Sequence, residues 1–159
     1  MILKPDYNVV SLFDIDFEGL KKEGINVLMF DLDSTVMPSK SGVFPEEVKK
    51  LLGKLQYDFV VAIISNNKNE AYIEKVKKSC DFDVIGHANK PSPKVMEQYL
   101  SALYKKPSEA VMIGDRPLTD ILAGKLLGCK TILVDSITRE TENIQTRFVR
   151  KLERITIRK

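Results

Sequence analysis

INVLMFD (Ile25–Asp31) is apolar at almost every position and stops on a carboxylate. A strand with one wet face alternates apolar and polar residues. This run does not, so it reads as a strand buried on both faces, the condition of a parallel sheet. Working outward, four more runs share its character: Phe59–Ser65 (FVVAIIS), Phe82–Gly86 (FDVIG), Ala110–Asp115 (AVMIGD) and Thr131–Asp135 (TILVD). Segments of helical period lie between them. Val48, Leu51, Leu52 and Leu55 follow i, i+3, i+4, i+7, with Pro45, Glu46 and Glu47 at the start. Asn67 is placed to cap a helix carrying Tyr72, Ile73 and Val76. Ser92-Pro93 opens a helix with Met96, Tyr99, Leu100 and Leu103 on one side. Leu118, Ile121, Leu122 and Leu126 form a fourth, with Gly128 placed to end it. This alternation predicts an α/β fold: a three-layer Rossmann-like sandwich with a five-stranded, mainly parallel sheet and helices on both faces.

The rest of the composition narrows the choice. A chain of 159 residues suffices for one domain over 1–159 and is short for two. With 43% hydrophobic and 30% charged residues it reads as an ordinary soluble protein. No apolar run reaches the roughly 18 residues of a membrane span, and the opening MILKPDYNVV lacks the pattern of a signal peptide. Two cysteines, Cys80 and Cys129, form no disulfide framework, and one histidine, His87, excludes multi-imidazole metal sites. The expected compartment is the reducing cytoplasm. Net charge is +3, but residues 139–159 carry +4 and the other 138 residues −1, so a broad nucleic-acid surface is not expected. In the tail, Ile144, Phe148, Leu152 and Ile155 fall on one helical arc, with Arg147, Arg150, Lys151, Arg154 and Arg158 beside it. A basic helix at about 140–155 follows. Its everyday role is a terminal helix with a solvated basic face; its functional role is peripheral contact with an anionic membrane.

In parallel sheets the ligand site lies beyond the carboxyl ends of the strands. There the sequence places Asp31 and Asp33, Ser65 and Asn66, Lys90, and Asp115. Carboxylates gathered in one crevice repel unless a cation neutralises them. An all-oxygen ligand set with no imidazole or thiolate suits Mg²⁺. A hydroxyl and an ammonium beside such a cluster have a natural partner in a phosphate group.

These residues resemble the four motifs of the haloacid dehalogenase superfamily phosphatases: DLDST at Asp31–Thr35, Ser65 in IISNN, Lys90 in ANKPSP, and GDRPLTD with Asp115 and Asp120. KPDYNVVSLFDID, ANKPSPK and TRETENIQTRFVRKLER further resemble the YqeG subfamily, whose relatives include mitochondrial phosphatidylglycerophosphate phosphatases. The resemblance implies Asp31 as nucleophile and Asp33 as general acid and base. It implies Mg²⁺ held by the Asp31 carboxylate, the Asp33 backbone carbonyl and Asp115, with Asp120 in support. Ser65, Asn66 and Lys90 would bind the phosphoryl group, and Thr35 would support the turn.

The intervals between motifs hold one short flap (Val36–Phe44), single helices and a strand, with no room for an inserted cap domain. An open site favours a bulky substrate such as a lipid headgroup, phosphatidylglycerophosphate above all. The alternative is a soluble phosphate ester with a neighbouring subunit as lid. A phospho-accepting receiver module shares the layout, but it needs an aspartate at the end of the third strand, and Asp83 lies too early in FDVIGHA. Asp14 and Asp16 repeat the Asp-x-Asp spacing with no buried strand before them, and read as helix-start acids. His87 reads as structural, Cys80 and Cys129 as small apolar residues, and Arg116 is divided between phosphate binding and the surface.

Overall fold

Runs too apolar to face water on either side are satisfied only in a sheet covered twice. In the computed structural model, residues 3–137 are described. The chain runs through β1 (Tyr7–Asn8), α1 (Phe17–Lys22), β2 (Val27–Phe30), α2 (Glu46–Leu55), β3 (Val60–Ile64) and α3 (Glu70–Lys78). It continues through β4 (Asp83–Ile85), α4 (Lys94–Ala102), β5 (Ala110–Gly114), α5 (Leu122–Leu127) and β6 (Lys130–Leu133). The strands form one sheet in the order β1-β6-β5-β2-β3-β4, every pair parallel.

The side chains of β2 show why both faces are dry. Leu28 and Phe30 pack with Leu20 of α1, Val48, Leu52 and Leu55 of α2, and Ile73 and Val76 of α3. Val27 and Met29 point the other way, into a cluster with Met96 and Leu100 of α4 and Ala123 of α5. Helices on both faces make the expected three-layer α/β sandwich. The basic helix expected at about 140–155 lies outside the described residues.

Three details differ from the sequence reading. The sheet has six strands rather than five, because the Tyr7–Asn8 segment pairs with β6. Two exposed residues leave no apolar run; their place is fixed by backbone bonds from Asp6 to Thr131 and from Val9 to Leu133. The side-chain cap of α3 is Asn69, not Asn67: Asn69 accepts from the Tyr72 N–H at 3.1 Å, and Asn67 accepts from the Asn69 N–H at 2.8 Å. Finally, Leu118 and Leu126 are exposed, and the buried residues of this segment are Pro117, Asp120, Ile121, Ala123 and Gly124. Pro117–Ile121 is a π-helical turn. Its extra residue rotates the following side chains by about 100° from the α-helical expectation. Asp16 caps α1 as expected, accepting from the Gly19 N–H at 2.9 Å. Among the described residues no helix is long and apolar enough to cross a membrane.

Candidate active site

The two central strands, β5 and β2, and β3 beside them each end on a polar group at the same edge of the sheet. Asp31 follows β2, Ser65 follows β3 and Asp115 follows β5. Backbone bonds carry the pairing one residue further at two of them: Asp31 N–H donates to Ile113 O and Ser65 N–H to Ile85 O. Asp31 and Asp115 are thus set by the sheet, and the segments that follow the strands add the rest.

Lys90 is the centre of the arrangement. Its ammonium, 1% exposed, lies 2.7 Å from Asp31 Oδ1 and 2.7 Å from Asp120 Oδ1. Asn66 clamps the Lys90 backbone in both directions: the Lys90 N–H donates to Asn66 Oδ1 at 2.7 Å, and Asn66 Nδ2 donates to Lys90 O at 2.9 Å. The Asn66 side chain therefore positions the lysine loop. Ser65 is buried, and its Oγ accepts from the Asn67 N–H at 3.0 Å, which leaves the hydroxyl proton to donate. Thr35 does more than support a turn. Its hydroxyl reaches Asp115 Oδ1 at 2.8 Å and Asp31 Oδ2 at 3.3 Å, tying two carboxylates together.

Asp120 sits closer to the centre than a remote supporter would. The π-helical turn and the bare backbone of Gly114 fold its carboxylate back over the end of β5, where Oδ2 also accepts from the Arg116 N–H at 3.2 Å. A Cβ on Gly114 would overlap that carboxylate. Gly114→Ala is therefore expected to push Asp120 off Lys90, costing about 1–3 kcal/mol in thermal stability and on the order of 10²-fold in phosphate release. Melting curves and a phosphate assay on the purified variant check both.

Three carboxylates crowd together here. Asp31, Asp115 and Asp120 each place one carboxylate oxygen within 4.8 Å of the others. Burial pushes the Asp120 pKa up to about 6, with Asp31 adding repulsion. Burial alone would lower the Lys90 ammonium, but Asp120 and Asp31 more than offset this and hold it above its ordinary value. Three carboxylates this close favour a cation among them. The donors are all hard oxygens, which fit Mg²⁺.

Asp33 is placed differently. Its carboxylate is half-buried and turned to the flap and α3, where Oδ1 accepts from Tyr72 Oη at 2.6 Å and from the Lys40 N–H at 2.9 Å. The sequence reading put Tyr72 on the apolar face of its helix and missed this contact. The available signal was a tyrosine on a core-facing stripe, whose polar end must find a partner. His87 Nε2 lies 3.1 Å from exposed Glu70, and its backbone N–H donates to Asn67 O.

Known proteins resemble this chain in sequence and in fold. Residues 87–152 match the HAD-hydrolase-like family. Over 151 residues the chain is 30% identical to a probable phosphatase, YqeG, from Bacillus subtilis (strain 168), covering 94% of this chain and 87% of that one. The chain belongs to the haloacid dehalogenase-like family of phosphatases. It is also 29% identical over 163 residues to a chloroplastic and mitochondrial phosphatidylglycerophosphate phosphatase 1 of Arabidopsis thaliana, covering 94% of this chain but 45% of that protein. Among solved structures, a 2-haloacid dehalogenase from Pseudomonas syringae pv. tomato DC3000 shares the fold, with a TM-score of 0.50 at 14% identity over 69% of this chain and 86% of that one. Within the described residues this haloacid dehalogenase-like chain carries no inserted domain: Asp33 to Ser65 holds the flap, α2 and β3, and Ser65 to Lys90 holds α3 and β4.

Proposed function

We propose that the protein is a Mg²⁺-dependent phosphomonoesterase that works through an aspartyl-phosphate on Asp31, with phosphatidylglycerophosphate as substrate. The observation that carries the reading is the buried lysine between Asp31 and Asp120, beside Asp115 and Thr35, at the carboxyl edge of a parallel sheet. Asp31 attacks phosphorus, and the bond from phosphorus to the ester oxygen breaks. Asp33 gives its proton to the departing oxygen. Water then attacks the aspartyl-phosphate, passing a proton to Asp33 as the phosphorus–Asp31 bond breaks and phosphate leaves. Lys90, the Ser65 hydroxyl and the Asn66 backbone N–H hold the phosphoryl oxygens, where charge must be neutralised during transfer. Mg²⁺ would be held by Asp31, Asp115 and the Asp33 backbone carbonyl, with Asp120 beside them, and would supply positive charge to the phosphoryl oxygens. Chelation is expected to abolish phosphate release and added Mg²⁺ to restore it. Asp115→Asn is expected to raise the half-saturating Mg²⁺ concentration at least about 10-fold, read from activity against Mg²⁺. Full activity in chelator would contradict the metal assignment.

The lipid substrate rests on several supports. The plant relative is by name a phosphatidylglycerophosphate phosphatase. The loops around the crevice expose apolar side chains: Val43 of the flap at 60%, Leu118 after Asp115 at 45%, and Ile137, whose N–H bonds Ser34 O, at 43%. A bilayer surface is a place to bury such residues. The basic groups of residues 139–159 would add about 1 kcal/mol each at an anionic surface. This reading places the protein in the cytoplasm, peripheral at the membrane. The test is kcat/KM for phosphatidylglycerophosphate in mixed micelles against soluble phosphate esters. A preference for the lipid supports the assignment. A preference for sugar or nucleotide phosphates would return the reading to a soluble substrate with an oligomeric lid.

A further inference from the structure

Asp33 differs from the other carboxylates in where its bonds go. Among the described residues its two donors, Tyr72 Oη at 2.6 Å and the Lys40 N–H at 2.9 Å, fall on the same oxygen, Oδ1. Among the described residues, nothing donates to Oδ2. A carboxyl oxygen that already accepts two hydrogen bonds is a poor place for a proton, because a proton there would face the two donors.

Tyr72 is itself fixed at both ends. Its backbone N–H is bound by the Asn69 cap of α3 at 3.1 Å. Its phenol oxygen accepts from the Gly42 N–H at 3.3 Å and lies 3.6 Å from Met37 Sδ, both on the flap. Lys40 and Gly42 take positive φ, 61° and 67°, and so present their N–H groups to Asp33 and to the phenol.

We propose that Tyr72 is the positioning residue of the acid–base group: its hydrogen bond to Oδ1 of Asp33 leaves Oδ2 to carry the proton delivered to the leaving oxygen. The inference rests on the reading of Asp33 as general acid and goes beyond it, to a residue on a different element that aims the acid. Tyr72 touches neither substrate nor the reacting atoms. It acts through Asp33, and it couples the acid's orientation to the seating of the flap.

The test uses leaving groups of different need. A p-nitrophenolate departs without a proton, whereas an alkoxide does not. kcat/KM for p-nitrophenyl phosphate and for glycerol 3-phosphate would be measured with wild type, Tyr72→Phe and Tyr99→Phe. kcat/KM extends only to leaving-group departure, so hydrolysis of the aspartyl-phosphate does not enter. The ratio of the two values on one preparation also cancels any inactive fraction. Tyr72→Phe is expected to lower kcat/KM for the alkyl ester at least about 10-fold and for the aryl ester less than about 3-fold. Tyr99→Phe removes a matched tyrosine–aspartate bond, 2.6 Å to Asp83 at the opposite end of the sheet, and should leave the ratio as in wild type. An unchanged ratio in Tyr72→Phe, whether both values fall together or neither falls, overturns the inference. A ratio moved equally by Tyr99→Phe also overturns it. Failure of the underlying reading looks different: Asp33→Asn would then keep the wild-type ratio.

Discussion

Asp31→Asn is expected to lower phosphate release by at least about 10⁴-fold, the scale on which removal of a nucleophile is felt. The amide is a poor nucleophile, and none of the neighbouring groups can substitute. Asp33 is turned to Tyr72 and Lys40, Asp115 is held by Thr35, and Asp120 is buried against Lys90. The same change should not unfold the protein. The amide oxygen still accepts from Lys90, and removal of one carboxylate relieves the repulsion that helps raise Asp120. A melting temperature equal to or above wild type is expected together with the lost activity. Crowded like charges at an active site are a cost to the fold that function requires. Activity within 10² of wild type, measured under saturating ester and Mg²⁺, would remove Asp31 from the chemistry.

Lys90→Met is expected to cost both activity and stability. The side chain keeps its volume, but Asp120, 1% exposed, loses its cation and becomes an uncompensated buried charge. Breaking a buried pair from one side costs about 3–5 kcal/mol, or roughly 6–20 °C in melting temperature for a chain of this size. The loss should depend on pH in a definite direction. Asp120 already titrates above an unfolded aspartate, and loss of Lys90 raises it further. An acid raised in the folded state carries no penalty below the unfolded value of 3.8, and the penalty grows as pH rises toward the folded value. The variant should therefore stand closest to wild type near pH 4 and fall away toward pH 7. Lys90→Met/Asp120→Asn should recover much of the stability and none of the activity. A single variant as stable as wild type at pH 7 would show that the ammonium does not hold the cluster together.

What the sequence disclosed follows from which groups the sheet positions directly. Asp31, Ser65 and Asp115 each stand one residue past a buried strand, so their convergence was legible from five apolar runs and the topology rule for parallel sheets. β1 was not legible, since Tyr7–Asn8 is short, exposed and held by backbone bonds alone. The buried face after Asp115 was misread at Leu118 and Leu126 because a π-helical turn shifts the period by one residue, and no spacing announces it. That turn also brings Asp120 onto Lys90. Tyr72 looked like one more core residue. Its phenol found Asp33 only because α3 packs beside the flap, a tertiary fact with no local signature.

The most direct test of the account is to trap the phosphoryl group. Asp33→Asn would be mixed with p-nitrophenyl phosphate and Mg²⁺, quenched in acid and mapped by peptide mass spectrometry. Attack on this ester needs no proton from Asp33, whereas hydrolysis of the intermediate needs a base. The account predicts one phosphoryl group on Asp31, absent from Asp31→Asn/Asp33→Asn. A phosphoryl group on any other residue, or steady turnover with none trapped, would contradict it.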